Sequence, residues 1–130
     1  MTVFVDANVV MYLVGAAHPH RDRAQALLDE LILSDTRLVT DAEVFQEILH
    51  RYASIKRPEA IDPAFSALAG IVDQVFSIDM AVVEAAQALV LGGMGARDAI
   101  HVATMRANGI TRILTFDHGF DRLVDLERLS

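Results

Sequence analysis

Two short apolar runs, within Met1–Asn8 (MTVFVDAN) and Arg112–Asp117 (RILTFD), each end at an aspartate. Rich in β-branched and aromatic residues and bounded by helical patterns, each reads as a strand buried on both faces, the mark of a parallel sheet. Ligands of open α/β sheets bind beyond the carboxyl ends of the strands, where the strand order reverses. Asp6 and Asp117 are therefore expected on one edge of the sheet, where they can share a site. A carboxylate there is costly unless it is paired or holds a cation. A metal site is the first expectation.

Two further acids stand out by position: Glu47 on a helix, and Asp98 in the first turn of another. Each of the four has a purely structural explanation. Asp98 satisfies a helix dipole, Glu47 pairs with Arg51 one turn on, Asp6 caps the helix after it, and Asp117 caps the turn His118–Phe120. Taken together, with two of them on the same sheet edge, a shared cation is the simpler account. Asn8, two residues past Asp6, can orient a carboxylate or a water. Thr115, two before Asp117, shares its strand face and can do the same. An all-oxygen site suits Mg²⁺ or Mn²⁺ rather than a structural zinc. His101, one turn past Asp98, reads as a half-buried core histidine; His18, His20, His50 and His118 show no mutual ligand spacing.

These residues must be placed by a chain of 130 residues, one domain of ordinary size spanning 1–130. An apolar fraction of 53% excludes a disordered tail. No apolar run reaches membrane-spanning length, no secretory signal opens the chain, and absence of cysteine removes disulfides, thiolate ligands and a cysteine nucleophile. A cytoplasmic protein with oxygen- or histidine-based chemistry is expected. The net charge of −7 argues against nucleic acid only weakly, because clustered acids can be neutralised by bound ions. The bases are arginines except for Lys56, and arginine is the better bidentate phosphate contact.

The elements follow from periodicity. A helical turn over Ala7–Gly15 follows the first strand, and Pro19 starts a helix with Ala24, Leu27, Leu28, Leu31 and Ile32 on its apolar face. Leu38–Thr40 is a short strand, and Asp41 caps a helix over Ala42–Ala53 that turns Val44, Ile48 and Leu49 to the core. A turn at Lys56–Pro58 leads to a helix at Ala60–Gly70, then to a strand around Val75, Phe76 and Ile78, and to a helix over Val82–Leu91. After Gly92, Gly93 and Gly95, a helix runs from Ala96 to Asn108–Gly109, a stop signal. Ile113–Phe116 is the fourth strand, with a short edge strand near Leu126. The predicted fold is α/β, a three-layer α/β/α sandwich with a short, mainly parallel sheet.

The segments TVFVDANVVMYL, VTDAEVFQEILHR and GARDAIHVATMRANGITRILTFDHGFD together resemble the PIN-domain ribonucleases, most closely toxins of the VapC type. The resemblance spans nearly the whole chain. It implies a PIN-like fold and hydrolysis of RNA phosphodiesters by Mg²⁺ or Mn²⁺ held on clustered acids. Asp6, Glu47, Asp98 and Asp117 match the family's catalytic, metal-holding acids, and Asn8 and Thr115 match supporting positions. Many relatives have an asparagine and then Asp-Phe where this chain has Asp117 and then Phe120-Asp121, so whether Asp121 joins the site stays open. Glu43, one turn before Glu47, either contacts metal or lines the mouth. Arg97 holds a flanking phosphate or forms a surface salt bridge. The resemblance also implies a cognate antitoxin that covers the acidic pocket, and a homodimer.

The mechanism expected is metal-assisted hydrolysis: one or two ions lower the pKa of a water and offset charge growing on the phosphorane oxygens. A haloacid-dehalogenase-like phosphatase would want an aspartate at Asn8 and a late lysine, and a phospho-acceptor receiver domain also lacks that lysine. A catalytically degenerate PIN domain serving only as a protein-binding module is opposed by four intact acids. Helix geometry separates Glu47 from Glu43, which stand about 6 Å apart along the axis at 1.5 Å per residue. Glu43 sits in a first turn, where the dipole alone explains it. Glu47→Gln is expected to abolish RNA cleavage and weaken metal binding, and Glu43→Gln to keep most activity; cleavage rates across a Mg²⁺ titration decide between them.

Overall fold

The computed structural model describes residues 1–130. Strand β1 (Thr2–Val5) leads into helix α1 (Ala7–Val14) and then α2 (Pro19–Leu33). Strand β2 (Arg37–Asp41) feeds α3 (Ala42–Ser54), and a 3₁₀ turn at Pro58–Ala60 enters α4 (Ile61–Ile71). The chain continues through β3 (Gln74–Phe76), α5 (Met80–Leu91), α6 (Ala96–Ala107) and β4 (Arg112–Leu114). A 3₁₀ turn at His118–Arg122 precedes the last strand, β5 (Glu127–Leu129).

All five strands are parallel, in the order β3-β2-β1-β4-β5. Val3, Phe4 and Val5 are fully buried although they alternate in direction, so β1 is covered on both faces, as a central strand of a three-layer sandwich must be. The order reverses beside β1: the chain moves outward to β2 and β3 on one side, then returns to β4 and β5 on the other. Val5 pairs with Leu114 and the Asp6 amide donates to the Leu114 carbonyl at 3.1 Å. The carboxyl ends of β1 and β4 thus meet at the switch point.

Differences from the periodic reading are local. Ile32 and Leu49, assigned to apolar faces, are 52% and 45% exposed; each lies one residue beyond a buried leucine or isoleucine, rotated about 100° off the packed stripe. The third strand ends at Phe76, before Ile78, and the fourth at Leu114, before Thr115 and Phe116. Helix α5 starts at Met80 because the Asp79 carboxylate accepts from the Val82 amide at 3.0 Å. No helix is long and apolar enough to cross a membrane.

Helices α2, α3, α5 and α6 end in the same way. The residue after the cap has positive φ (Asp35 57°, Lys56 56°, Gly93 105°, Gly109 67°), and the next amide reaches back to the last turn, as Ile110 does to Met105 at 2.9 Å. This is the Schellman closure, which satisfies carbonyls the helix would otherwise orphan. The closure at Gly109 turns the chain from α6 into β4 and so fixes where Asp117 emerges. Gly109→Ala is expected to destabilise the protein by about 1 kcal/mol, the cost of a Cβ in the left-handed region. Gly70→Ala, in the last turn of α4 with nothing within 4 Å of an added Cβ, is expected to stabilise by about 0.5 kcal/mol. Urea unfolding midpoints of the two variants check both signs.

Candidate active site

The end of β1, helix α1, the segment after β4 and the flanks of α3 and α6 enclose a cavity of about 310 Å³. Asp6, Asn8, Glu47, Asp98 and Asp117 line it, together with the bases His50, Arg51 and Arg97. Asp6 is 4% exposed. Its Oδ1 accepts from the Ala7 amide at 2.8 Å, capping α1, and its Oδ2 accepts from the Thr115 hydroxyl at 2.8 Å. The same hydroxyl accepts from Asn8 Nδ2 and from the Asp117 amide, each at 3.0 Å. With one donor and two acceptor sites, a hydroxyl is saturated by these three bonds. Asn8 Oδ1 also accepts from the Phe116 amide at 3.2 Å. Asn8 and Thr115 thus tie the end of β1 to the segment leaving β4.

Asp98 stands in the first turn of α6, and Asp117 is exposed at the end of the segment after β4, its Oδ1 accepting from the Gly119 amide at 2.8 Å. Glu47 forms no salt bridge with Arg51; its carboxylate points inward, with Oε2 buried and without a hydrogen-bond partner. Glu43 does not line the cavity but faces Arg97 at 3.7 Å. Asp121 lies outside as well, held by Arg128 at 2.8 Å on the surface. Phe120 packs into the core beside it, and the Asp121 carboxylate pairs with the arginine on β5 at the surface.

His101 differs most from the sequence reading. It is fully buried rather than half-buried, and its ring leans on Phe4 with centroids 5.4 Å apart. Nδ1 lies 2.9 Å from Asp41 Oδ2 and 3.1 Å from Oδ1. Nε2 has no hydrogen-bond partner and stands 3.7 Å from Glu47 Oε2 and 3.9 Å from Asp6 Oδ1, too far for a hydrogen bond to either. Asp41 is itself fully buried and caps α3 by accepting from the Val44 amide at 2.9 Å. Read only as a cap, Asp41 escaped notice in the sequence, yet it ends β2 as Asp6 ends β1. That repetition was the available signal; the pairing with His101 spans 60 positions.

The electrostatics follow from this crowding. Burial raises the Asp6 pKa, and the Glu47 charge adds to it against the opposing pull of His101. Burial and the charges of Asp6 and Asp117 push Asp98 up to about 6. Burial alone would lower the His101 pKa, but the carboxylates of Asp41, Glu47 and Asp6 outweigh it and push it up to about 10. The donor set suits a divalent ion. Asp6, Glu47 and His101 each offer one atom, all within 4.8 Å of one another, and two of these atoms are buried orphans. Asp98 and Asp117 line the same cavity but stand outside that tightest group.

A carboxyl whose folded pKa exceeds its unfolded one destabilises the folded state once both are ionised. For Asp98 the loss of stability develops as pH rises from the ordinary 3.8 to about 6. In metal-free protein Asp98 is expected to titrate near 6, and Asp6→Asn to lower that value. Carboxyl-carbon NMR titration measures both, and an Asp98 already at an ordinary value would separate it from the other acids.

The profile described as PIN domain matches residues 3–126. Ribonuclease VapC13 of Mycobacterium tuberculosis is 51% identical over 98% of this chain and 99% of its own length. Ribonuclease VapC23 of the same species is 39% identical over 89% of this chain and 93% of its own. Among solved structures, the crystal structure of M. tuberculosis VapC20, a toxin described as cleaving the sarcin-ricin loop, superimposes with a TM-score of 0.77 at 21% identity over 94% of this chain and 95% of that one. VapBC2 of Rickettsia felis, bound to a DNA fragment from its promoter, gives 0.75 at 16% identity over 99% and 98%. The chain belongs to the PIN domain family, within its VapC group.

Proposed function

We propose that this protein is a Mg²⁺- or Mn²⁺-dependent endoribonuclease and the toxin of a type II toxin–antitoxin pair. The observation that carries the reading is the cavity at the switch point, where Asp6, Glu47, Asp98 and Asp117 converge and buried polar atoms lack partners. The names of its relatives, ribonucleases VapC13 and VapC23, support the choice of substrate. The four acids would hold the metal, and Asn8 and Thr115 would keep Asp6 and the β4 end in register. A divalent ion bound there supplies the positive charge that lowers the pKa of a water and offsets charge on the scissile phosphate.

Arg51 and Arg97 at the cavity wall are placed to meet phosphates flanking the scissile one, where a guanidinium binds two oxygens at once. Glu43, facing Arg97, and Asp121, held by Arg128, do not line the cavity themselves and have no direct part in this reading. No lysine lines the cavity and Asn8 replaces an acid, which disfavours the phosphatase alternative. A binding module without catalysis would have no use for four ionisable acids held in like-charge contact.

Solved complexes such as VapBC2 support a protein antitoxin as partner. A segment carrying an arginine would suit the same pocket, substituting its charge for that of the metal. A homodimer is supported by the apolar groove between α5 and α6, where Met80, Val83, Val90 and Leu91 are exposed beside Ile100. RNA cleavage is expected to need Mg²⁺ or Mn²⁺ and to vanish with EDTA. Asp6→Asn, Asp98→Asn and Asp117→Asn are each expected to slow it by about 100-fold or more, as loss of a transition-state charge contact does. Cleavage that survives chelation would overturn the metal mechanism, and a marked loss of thermal stability in all three variants would return them to a capping role.

A further inference from the structure

A second cavity, of about 380 Å³, adjoins the acidic one and shares Asn8, Met11 and Arg51 with it. Tyr12, Tyr52 and Ile55 complete its wall. Two helix stripes lead from one cavity to the other, Asn8 to Tyr12 on α1, and Glu47 to Arg51 to Ile55 along α3 and onto its cap. Each step is four residues, about 6 Å of helix axis. The chemistry changes over that step. Asp6, Glu47, Asp98 and Asp117 line the first cavity, whereas no carboxylate lines the second. Both tyrosines of the chain are there, and Arg51 brings its one formal charge.

The Tyr12 ring is braced within the protein. His18 stacks on it with centroids 4.9 Å apart, and His20 and Phe116 meet it edge-on at 5.0 and 5.5 Å. Phe116 lies between Thr115 and Asp117, and its amide donates to Asn8 Oδ1, so the ring shares its support with the acidic site. A ring already fixed in orientation loses little entropy when a ligand packs on it. Tyr52 is rooted in the core on the α3 side, and Ile55 forms an exposed apolar lip.

We propose that the second cavity is a nucleobase subsite: it takes the base of an unpaired RNA nucleotide next to the scissile phosphate, stacked on Tyr12, while Arg51 holds that nucleotide's phosphate at the boundary of the two cavities. The inference rests on the ribonuclease reading above and deepens it by naming the form of RNA the site takes. A base inside a duplex is covered on both faces by its neighbours, and only an unpaired, turned-out base can enter a walled cavity. Stacking on an aromatic ring accepts every base, since each has a π-face. The subsite therefore selects looped or single-stranded RNA rather than a sequence. The base arrives joined to a phosphate, which carboxylates would repel and Arg51 attracts.

The test titrates full-length, ¹³C-tyrosine-labelled protein in Mg²⁺ with adenosine and uridine 5′-monophosphates, and with ribose 5-phosphate, which has the sugar and phosphate without the base. With two tyrosines in the chain, Tyr12→Phe assigns both ring signals in the NMR spectrum. The nucleotides are expected to shift the Tyr12 ring signals and to bind about 10-fold more tightly than ribose 5-phosphate, the scale of one base–aromatic stack. Tyr12→Phe is expected to keep that advantage and Tyr12→Leu to lose most of it, whereas Arg51→Gln weakens all three ligands alike. If Tyr12→Leu does not fold, the ring shifts of the wild type and the advantage kept in Tyr12→Phe decide. Equal binding with and without the base, Tyr12 ring signals that stay put, or an advantage undiminished in Tyr12→Leu overturns the subsite. Each of these outcomes leaves the nuclease reading standing, because that reading is decided separately by RNA cleavage and its loss in EDTA.

Discussion

Like charge crowded at the end of a parallel sheet is the constraint on which this structure turns. Asp6, Asp41, Glu47, Asp98 and Asp117 converge on the carboxyl ends of β1, β2 and β4, and the only fully buried side chain among them able to carry positive charge is His101. Two of the acids, Asp6 and Asp41, are themselves buried. Burial of an unpaired carboxylate is expensive, so these groups must be matched by donors or cations. The protein supplies backbone amides, one threonine hydroxyl and one imidazole. That leaves Nε2 of His101 and Oε2 of Glu47, 3.7 Å apart, without hydrogen bonds, which marks the point where the matching is incomplete.

The fold creates the crowding through its helix starts. A parallel strand that ends at the switch point leads straight into a helix, and the residue between them is the N-cap. Asp6 and Asp41 fill that position for α1 and α3, and Asp117 does the same for the short turn after β4. Capping and membership of the site are therefore not alternatives. Asp6 gives one oxygen to the Ala7 amide and the other to Thr115 while still facing the cavity. The cap locks the carboxylate in one rotamer, and rigidity of that kind is what a metal ligand or a charge partner requires.

A net charge of −7 sits uneasily with the proposed RNA-cleaving role until the distribution is considered. Acid is concentrated in the cavity, whereas Arg51 and Arg97 stand at its wall. Elsewhere arginines are spent on surface pairs, Arg106 with Asp125, Arg112 with Glu127 and Arg128 with Asp121. Exposed pairs of this type are screened by solvent and add little stability. They fix the C-terminal segment against α6 and β4 more by geometry than by energy, and in doing so they hold Asp121 away from the pocket.

The order of strands and helices and the α/β/α layering were legible in the sequence because they rest on local rules: apolar runs followed by Asp6 and Asp117, helical spacing, and the Asn108-Gly109 stop. The same rules located Asp6, Asn8, Glu47, Asp98, Thr115 and Asp117, which do gather around one cavity. Local rules fail for partners distant in the chain. Glu47 has Arg51 one turn away yet turns to His101, since the helix face that packs on the sheet points it inward. Leu49 and Ile32 look like core residues and are exposed, because only docking decides which edge of an apolar stripe is covered. Asp121 was undecided until β5 brought Arg128 beside it. Asp41 and His101 lie 60 positions apart, each plausible alone as a cap or a core residue. Their pairing is a property of β2 lying next to β1 and of α6 packing beside α3, and only the tertiary structure could show it.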